Sequence, residues 1–144
     1  MLSLRLASMH DARRLYIWRN DPATRVQSRS TGEIDYESHL AWLERSLASP
    51  SRRTYIAELD STPVGTGRTD QHEGMTELSW TVAPEARGRG VGHELVRLLI
   101  GMTTGPVCAE IKAGNVASEK IARAAGFVLD HRTVDSMSRY ILIR

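Results

Sequence analysis

Apolar and polar residues alternate regularly between Met75 and Val82. Leu78, Trp80 and Val82 fall on one side of this stretch, and its polar residues fall on the other. Alternation with a period of two is typical of a β-strand, and Pro84 ends the strand because proline has no N–H for the hydrogen-bond ladder. The pattern therefore predicts a β-strand over residues 75–82.

A helix is predicted after this strand from an apolar stripe with helical spacing, formed by Val91, Leu95, Leu98, Leu99 and Met102. Gly88, Gly90 and Gly92 stand at every second position where that helix begins. The first N–H groups of a helix lack internal partners and carry partial positive charge, and glycines let an anion approach the backbone closely. With Arg87 and Arg89 beside them, the glycines predict a binding loop for a pyrophosphate.

Two other kinds of phosphate loop do not fit this segment. The chain contains no Gly-Lys-Ser/Thr triplet, which excludes a P-loop. In a dinucleotide-binding fingerprint the third glycine would fall at His93, and the segment 83–87 makes the turn before the first glycine too long. A nicotinamide or flavin site is therefore not favoured.

The rest of the chain shows the same two periodicities. Alternation predicts strands at 2–6, 54–59, 64–69, 107–112, 127–129 and 137–143, and helical spacing predicts helices at 9–19, 22–27, 36–48 and 117–125. The helix between the strands at 75–82 and 107–112 makes a right-handed crossover, so these two strands run parallel. The sequence thus predicts an α+β fold, with a mixed sheet of six to seven strands, one parallel central pair and about four flanking helices, in a single domain over residues 1–144.

Charge and composition bear on the classes of partner. The formal net charge is +2 and the charges are interspersed, so neither nucleic acid nor a membrane surface is expected as a partner. Apolar runs are too short for a membrane span and the first residues lack signal-peptide features, so a cytoplasmic location is expected. The one cysteine, Cys108, cannot form an internal disulfide. The five histidines show no ligand spacing, so no metal is expected.

Two motifs resemble those of the GNAT family of N-acetyltransferases. The run from Arg87 to Gly92 is similar to the family's Arg/Gln-x-x-Gly-x-Gly/Ala acetyl-CoA motif, and Asn115, Ser118 and Ile121 followed by Gly126-Phe127 resemble its closing signature. Both motifs stand in the family's order and register, and the resemblance covers essentially the whole chain. It implies an acetyl-CoA-dependent enzyme that transfers an acetyl group directly to a primary amine.

The resemblance also implies the residues that bind the cofactor. In the family, the backbone of the central strand pairs with the pantetheine arm, which points to Trp80 and Val82. The loop implied to bind the pyrophosphate comprises Arg87, Gly88, Arg89, Gly90, Val91 and Gly92. At the start of the helix predicted at 117–125, Asn115 and Ser118 match positions that bind the pantetheine, and Lys120 is within reach of a phosphate.

The reaction needs a base for the amine, a donor for the developing oxyanion and an acid for the leaving thiolate. Glu110 matches a glutamate that serves as base in the ribosomal-alanine branch of the family, although a solvated glutamate or a salt bridge to Lys112 or an arginine is the alternative. Glu77 is the reserve candidate, one position from where another branch places its glutamate.

The acid is where the chain departs from the family. Many members have a tyrosine where this chain has Ala122. Tyr140, Tyr16, Ser118 or water are the substitutes, since a thiol with a pKa of about 8.5 leaves without much assistance. A non-catalytic sensor that binds acyl-CoA is therefore a second possibility.

The N-terminal half resembles acetyltransferases that modify nucleotide-linked deoxy-amino sugars, as in pseudaminic acid synthesis, and less closely those that acetylate ribosomal protein N-termini. The residues implied to contact the acceptor are Trp18, Arg19, Asn20, Arg25, His39, Trp42 and Arg68. Aromatic rings stack on a base and guanidinium groups bind a diphosphate. The alternative is that the tryptophans belong to the core and the arginines to the surface. The expected partner is a small-molecule amine, and the chain is expected to be a monomer or a homodimer.

Overall fold

The computed structural model describes residues 1–133 and 135–144, and these residues form one seven-stranded sheet. The strands are β1 (Leu2–Leu6), β2 (Arg52–Leu59), β3 (Thr62–His72), β4 (Met75–Val82), β5 (Val107–Lys112), β6 (Val128–Arg132) and β7 (Met137–Leu142). Their spatial order is β1-β2-β3-β4-β5-β7-β6. The β4–β5 pair is parallel and the other neighbouring pairs are antiparallel. The predicted α+β fold with a parallel central pair is confirmed.

Five helices flank the sheet in the described part of the chain. They are α1 (Ala12–Asn20), α2 (Pro22–Val26), α3 (Tyr36–Ala48), α4 (Val91–Gly101) and α5 (Val116–Ala124). The short helix α2 has proline at its first turn, and the Asp21 side chain accepts a hydrogen bond from the Thr24 N–H. Proline in the first turn loses no helical hydrogen bond, so the helix can begin at Pro22.

Several predicted boundaries differ from the structure by one to three residues, and those of β3 and α4 are the most informative. β3 extends to His72, beyond the predicted residue 69, because Asp70, Gln71 and His72 continue the ladder opposite β4. Because the side chains at those positions are polar, apolar alternation does not predict that the strand continues. Met102 was predicted to belong to the apolar stripe of α4, but the helix ends at Gly101 and Met102 is 53% exposed.

Helix α4 packs directly against β3 of the sheet. A Cβ built on Gly67 of β3 would lie 2.7 Å from Leu99 Cδ1, and one built on Gly65 would lie 2.7 Å from the Thr81 carbonyl oxygen. Leu95 and Leu99 of α4 are fully buried in the resulting contact. Gly67 therefore allows α4 to pack directly on β3, whereas Gly65 allows β3 to lie close to the backbone of β4.

The opposite face of the sheet carries α1 and α3. Successive residues of a strand point to opposite faces. Gly67 faces Leu99 of α4, whereas the guanidinium of the next residue, Arg68, lies 5.8 Å from the centre of the Trp42 ring on α3. The sheet thus separates α4 from the α1–α3 layer. Among the residues that the structure describes, no helix is both long and apolar enough to cross a membrane.

Asp11 ties the start of the helical layer to β1. Its carboxylate is 1% exposed and accepts hydrogen bonds from Arg5 Nη2 at 2.8 Å, Arg5 Nη1 at 2.9 Å and the Ser8 N–H at 2.9 Å. Burial alone would raise the pKa of Asp11, but these hydrogen bonds outweigh it and lower the pKa from 3.8 to about 2. The ionised carboxylate is therefore part of the folded state.

Replacing Asp11 with Asn is expected to lower the free energy of unfolding by about 2 kcal/mol at neutral pH. Because the folded-state pKa lies below the unfolded one, this stabilisation is complete above the unfolded pKa and is lost as the pH falls towards 2. Urea unfolding of both proteins at pH 7 and pH 3 measures the difference. An Asp60→Asn variant is the control, because Asp60 is exposed and its φ of 51° suits asparagine. An equal loss at both pH values would contradict the explanation.

Candidate active site

A cleft opens where β4 and β5 separate. The two strands pair only at Thr76–Val107 and Glu77–Cys108, and beyond these positions their ladder ends. The opening continues into a cavity of about 820 Å³, which we call the β4–β5 cleft. Ten of the residues predicted to bind the cofactor line it: Trp80, Val82, Arg87, Gly88, Gly90, Val91, Gly92, Asn115, Ser118 and Lys120. Arg89 was predicted with them, but it is exposed and does not line the cleft.

The glycine loop has the geometry of an anion-binding helix start. Gly90 caps α4 with φ 76°, and Gly88 has φ 78°. No heavy atom lies within 4 Å of a Cβ built on either residue. By contrast, a Cβ on Gly92 would lie 2.7 Å from Ile121 Cδ1 of α5. Gly88 and Gly90 therefore leave free space in front of the α4 N-terminus, whereas Gly92 allows α4 and α5 to pack closely.

Arg87 joins this loop to α2. Its Nη2 donates hydrogen bonds to Asp21 Oδ2 and to Thr24 Oγ1, both at 2.9 Å. On the other side of the cleft, Lys112 Nζ donates to the Val26 carbonyl at 2.9 Å. Helix α2 is therefore attached to both walls of the β4–β5 cleft, which the sequence did not indicate.

Glu110 lines the β4–β5 cleft, and its neighbour is an arginine. Arg29 Nη2 donates to Glu110 Oε2 at 2.9 Å, and Arg29 Nη1 donates to Asp135 Oδ2 at 2.5 Å. Glu110 is 18% exposed. The anticipated alternative of a salt bridge is thus present, through Arg29 rather than Lys112. The second carboxylate oxygen, Oε1, makes no hydrogen bond among the described residues.

Glu77 differs from Glu110 in its surroundings. It is half-buried on β4 and lines neither cavity. Burial raises the pKa of Glu77, and the carboxylates of Glu110 and Asp70 raise it further. Of the two candidate bases, Glu110 is therefore the one that lies at the cleft.

The candidates for the acid are also separated by the structure. Ala122 is fully buried on α5. Tyr140 is fully buried too, and its hydroxyl donates to Glu119 Oε2 at 2.8 Å and accepts from Arg123 Nη2 at 3.2 Å. Tyr16 packs on Tyr36 and lines neither cavity. Of the named side chains, Ser118 alone lines the β4–β5 cleft.

A second cavity, of about 350 Å³, lies between the α1–α3 layer and the sheet, and we call it the α1–α3 cavity. It shares Ser79, Trp80 and Thr81 of β4 with the β4–β5 cleft. Its other lining residues are Leu15, Trp18, Arg19, Ile34, His39, Trp42, Thr54, Thr66, Gly67 and Arg68. β4 is therefore the common wall of two cavities on the two sides of the predicted reaction centre.

Five of the seven predicted acceptor residues line the α1–α3 cavity: Trp18, Arg19, His39, Trp42 and Arg68. Asn20 lies outside it, where its amide exchanges two hydrogen bonds of 2.8 and 2.9 Å with the Ile34 backbone. Arg25 also lies outside, 3.8 Å from Glu33. Asn20 therefore holds the loop that brings Ile34 to the cavity. Thr54 and Thr66 also line the cavity. The sequence predicted that both lie in strands but did not indicate that they reach the site.

Unpartnered polar atoms are concentrated at the α1–α3 cavity. Among the described residues, five buried side-chain nitrogen or oxygen atoms have no hydrogen-bond partner. Four of them belong to residues that line this cavity: Arg19 Nη1, His39 Nε2, Thr54 Oγ1 and Trp80 Nε1. Buried polar groups are nearly always hydrogen-bonded in native proteins. The cavity wall is therefore suited to a polar ligand. No group of three or more potential metal-ligating side chains occurs in the described ranges.

Known proteins share the architecture of this chain. The family model described as acetyltransferase (GNAT) domain matches residues 1–128. Comparison with curated proteins finds no match. Among solved structures, spermidine N-acetyltransferase from Vibrio cholerae, in complex with CoA and spermine, has a TM-score of 0.89 at 14% identity, covering 99% of this chain and 95% of that chain.

Two further solved structures have the same fold. An aminoglycoside acetyltransferase in complex with coenzyme A has a TM-score of 0.85 at 21% identity, covering 100% of this chain and 95% of that chain. Ribosomal-protein-alanine N-acetyltransferase from Brucella melitensis has a TM-score of 0.81 at 24% identity, covering 99% of each chain. At these identities the likeness establishes a common architecture.

Proposed function

The chain belongs to the GNAT family of acetyltransferases, and we propose that its acceptor is the amino group of a nucleotide-linked deoxy-amino sugar. The protein is an N-acetyltransferase whose co-substrate is acetyl-CoA, which supplies the acetyl group as a thioester. The identity of the amine is the proposal. The observation that supports the proposal is that Arg19 Nη1, in the wall of the α1–α3 cavity, is buried without a hydrogen-bond partner among the described residues.

The residues of the β4–β5 cleft fit acetyl-CoA. The open space at Gly88 and Gly90 lies before the N-terminus of α4, an eleven-residue helix whose first N–H groups attract an anion. We assign the pyrophosphate to this loop and the pantetheine arm to the side of β4 where the ladder to β5 has ended. We assign Ser118, which lines the cleft, as the side chain that donates to the leaving thiolate, and water is the alternative donor.

Glu110 is the proposed base. Arg29 holds Oε2, which leaves Oε1 to accept a proton from the amine. A carboxylate whose side chain is held in place by an ion pair requires little reorientation before proton transfer. The amine then attacks the thioester carbonyl near Ser79, Trp80 and Thr81 of β4, which line both cavities.

Among the residues that the structure describes, Arg19 is a cation without a counter-ion. Its Nη2 donates to the Ser30 carbonyl at 2.9 Å, but Nη1 is buried without a partner. Burial lowers the pKa of Arg19, and the nearby charge of Arg25 lowers it further. The Arg25 Nε is also buried without a partner. In the cavity wall, the unused N–H donor of Arg19 favours an anionic ligand such as a diphosphate, which arginine binds through paired hydrogen bonds.

Aromatic rings stand beside this positive charge. Trp18 and Trp42 line the same cavity as Arg19. A planar base stacks favourably on such rings, and the sugar hydroxyls require polar partners. A polyamine brings positive charge to a wall that already contains the guanidinium of Arg19, so it is disfavoured there.

An Arg19→Met variant tests the proposal, because methionine keeps much of the length and removes the charge. We expect kcat/KM for a nucleotide-linked 4-amino sugar to fall roughly 10- to 100-fold, as for the loss of a charge-assisted hydrogen bond. The corresponding free amino sugar should lose less than about threefold by the same reasoning. Release of free CoA thiol measures both rates. Arg13→Met is the matched control, because Arg13 is exposed on the same helix and lines neither cavity.

An equal loss with both sugars would contradict a role for Arg19 in binding the diphosphate. The same assay with peptides that begin with alanine or serine tests the alternative function, acetylation of a protein N-terminus. Turnover of peptides without turnover of nucleotide sugars would assign the protein to that alternative. Tight acetyl-CoA binding without turnover of any amine would instead favour the non-catalytic sensor.

A further inference from the structure

The α1–α3 cavity contains a second recognition element besides Arg19, formed by His39 on α3 and Thr54 on β2. Both side chains are more than nine-tenths buried, with 3% and 6% exposed. Both residues line the cavity, and each has one polar atom without a partner among the described residues, His39 Nε2 and Thr54 Oγ1. We infer that this pair determines acceptor specificity by hydrogen-bonding hydroxyl groups of the acceptor. The inference rests on the proposed function in taking the cavity as the acceptor site.

His39 has one ring nitrogen, Nε2, without a partner among the described residues. Its ring lies between those of Tyr16 and Trp42, with centroids 5.6 Å from each. Burial lowers the pKa of His39, the charge of Arg19 lowers it further, and a hydrogen bond to the Ala12 backbone acts in the opposite direction. Because Nε2 has no partner, we assign the bond to Ala12 to the other ring nitrogen; in the neutral tautomer with the proton on that nitrogen, Nε2 accepts from an O–H or N–H group.

Thr54 supplies the complementary group. Its hydroxyl both donates and accepts. Thr66 provides a contrast in the same cavity, because its hydroxyl already donates to the Tyr55 carbonyl at 2.8 Å. The cavity wall therefore contains two threonines, and among the described residues one hydroxyl has a hydrogen-bond partner and the other has none. The unsatisfied one stands on β2 opposite Arg68 of β3.

The chemistry of the pair selects hydroxyl groups over other donors. An ammonium group could donate to His39 Nε2, but it would lie in a buried space near the positive charge of Arg19. A carboxylate or phosphate oxygen cannot donate to Nε2. A hydroxyl group donates to Nε2 and accepts from Thr54 without bringing charge into the cavity. The expected acceptor is therefore a polyhydroxylated amine, of which an amino sugar is the simplest class.

Binding of glucosamine and its 3-, 4- and 6-deoxy analogues tests the inference without a nucleotide. Trp18, Trp42 and Trp80 line the cavity, so quenching of tryptophan fluorescence reports binding. The wild-type protein is expected to bind glucosamine about fivefold or more tightly than at least one deoxy analogue, since the analogue leaves a buried group unpaired. Thr54→Val and His39→Phe should each lose this discrimination, and Thr54→Ser should retain it.

Thr66→Val is the matched control, since it also removes a threonine hydroxyl from the cavity wall and should keep the discrimination. The affinity for acetyl-CoA, measured separately, shows whether each variant has folded. Retained discrimination in both Thr54→Val and His39→Phe would overturn the inference, and so would a wild-type protein that binds all four sugars equally or none of them. Hydroxyl discrimination in a protein that does not acetylate nucleotide sugars would refute the proposed function and leave this inference intact.

Discussion

A Glu110→Gln variant is expected to lose roughly 10²- to 10⁴-fold in kcat, as for the removal of a general base. The amide is almost the same shape as the carboxylate and can still accept a hydrogen bond from Arg29. It cannot take a proton from the amine. The affinity for acetyl-CoA should remain unchanged, because the pyrophosphate loop is formed by other elements. Steady-state kinetics by thiol release, with isothermal titration of acetyl-CoA, measure both quantities.

Glu77→Gln is the matched comparison for this result. Glu77 lies on the neighbouring strand and belongs to the same group of interacting carboxylates, but it lines neither cavity. A loss of less than about fivefold is expected there, since no proton transfer depends on it. An unaltered rate in Glu110→Gln together with a large loss in Glu77→Gln would move the base to Glu77.

A Gly90→Val variant is expected to bind acetyl-CoA at least roughly 10-fold more weakly. Gly90 has φ 76°, and a β-branched residue in this region costs on the order of 1–3 kcal/mol. The added side chain would also project into the free space before α4, where we place the pyrophosphate. Isothermal titration with acetyl-CoA and with CoA measures the loss.

Gly101→Val provides the control at the other end of α4. A Cβ on Gly101 also meets no heavy atom within 4 Å, and its φ is not in the left-handed region. This variant should bind acetyl-CoA as the wild type does. Unchanged affinity in Gly90→Val would refute the assignment of the loop to the cofactor.

Local patterns predicted much of the architecture. The bounds of β1, β4 and β5 follow from alternation, and the start of α4 follows from Gly90 and the apolar stripe behind it. These features are local, because a strand or a cap is specified by residues near one another in the sequence. Where the pattern was polar, as at the end of β3, the prediction stopped too early.

Long-range pairs could not be predicted in the same way. Arg29 and Glu110 are 81 positions apart, and Arg87 and Asp21 are 66 apart. The chain has 19 lysine and arginine residues and 17 acidic ones, so composition allows many such pairs and does not select one. The difference between Thr54 and Thr66 is also invisible in the sequence, because it depends on which carbonyl lies within reach of each hydroxyl.

The attachment of α2 limits how freely this enzyme can be redesigned. Asp21 and Thr24 accept hydrogen bonds from Arg87, and the Val26 carbonyl accepts one from Lys112, so both walls of the β4–β5 cleft depend on one short helix. The same helix directly follows α1, which contributes Arg19 to the other cavity. Acceptor choice and cofactor affinity are therefore not separate modules in this chain. A chimera that imports the 21–28 segment from a relative must import partners for Arg87 and Lys112 with it, or it will change both properties at once.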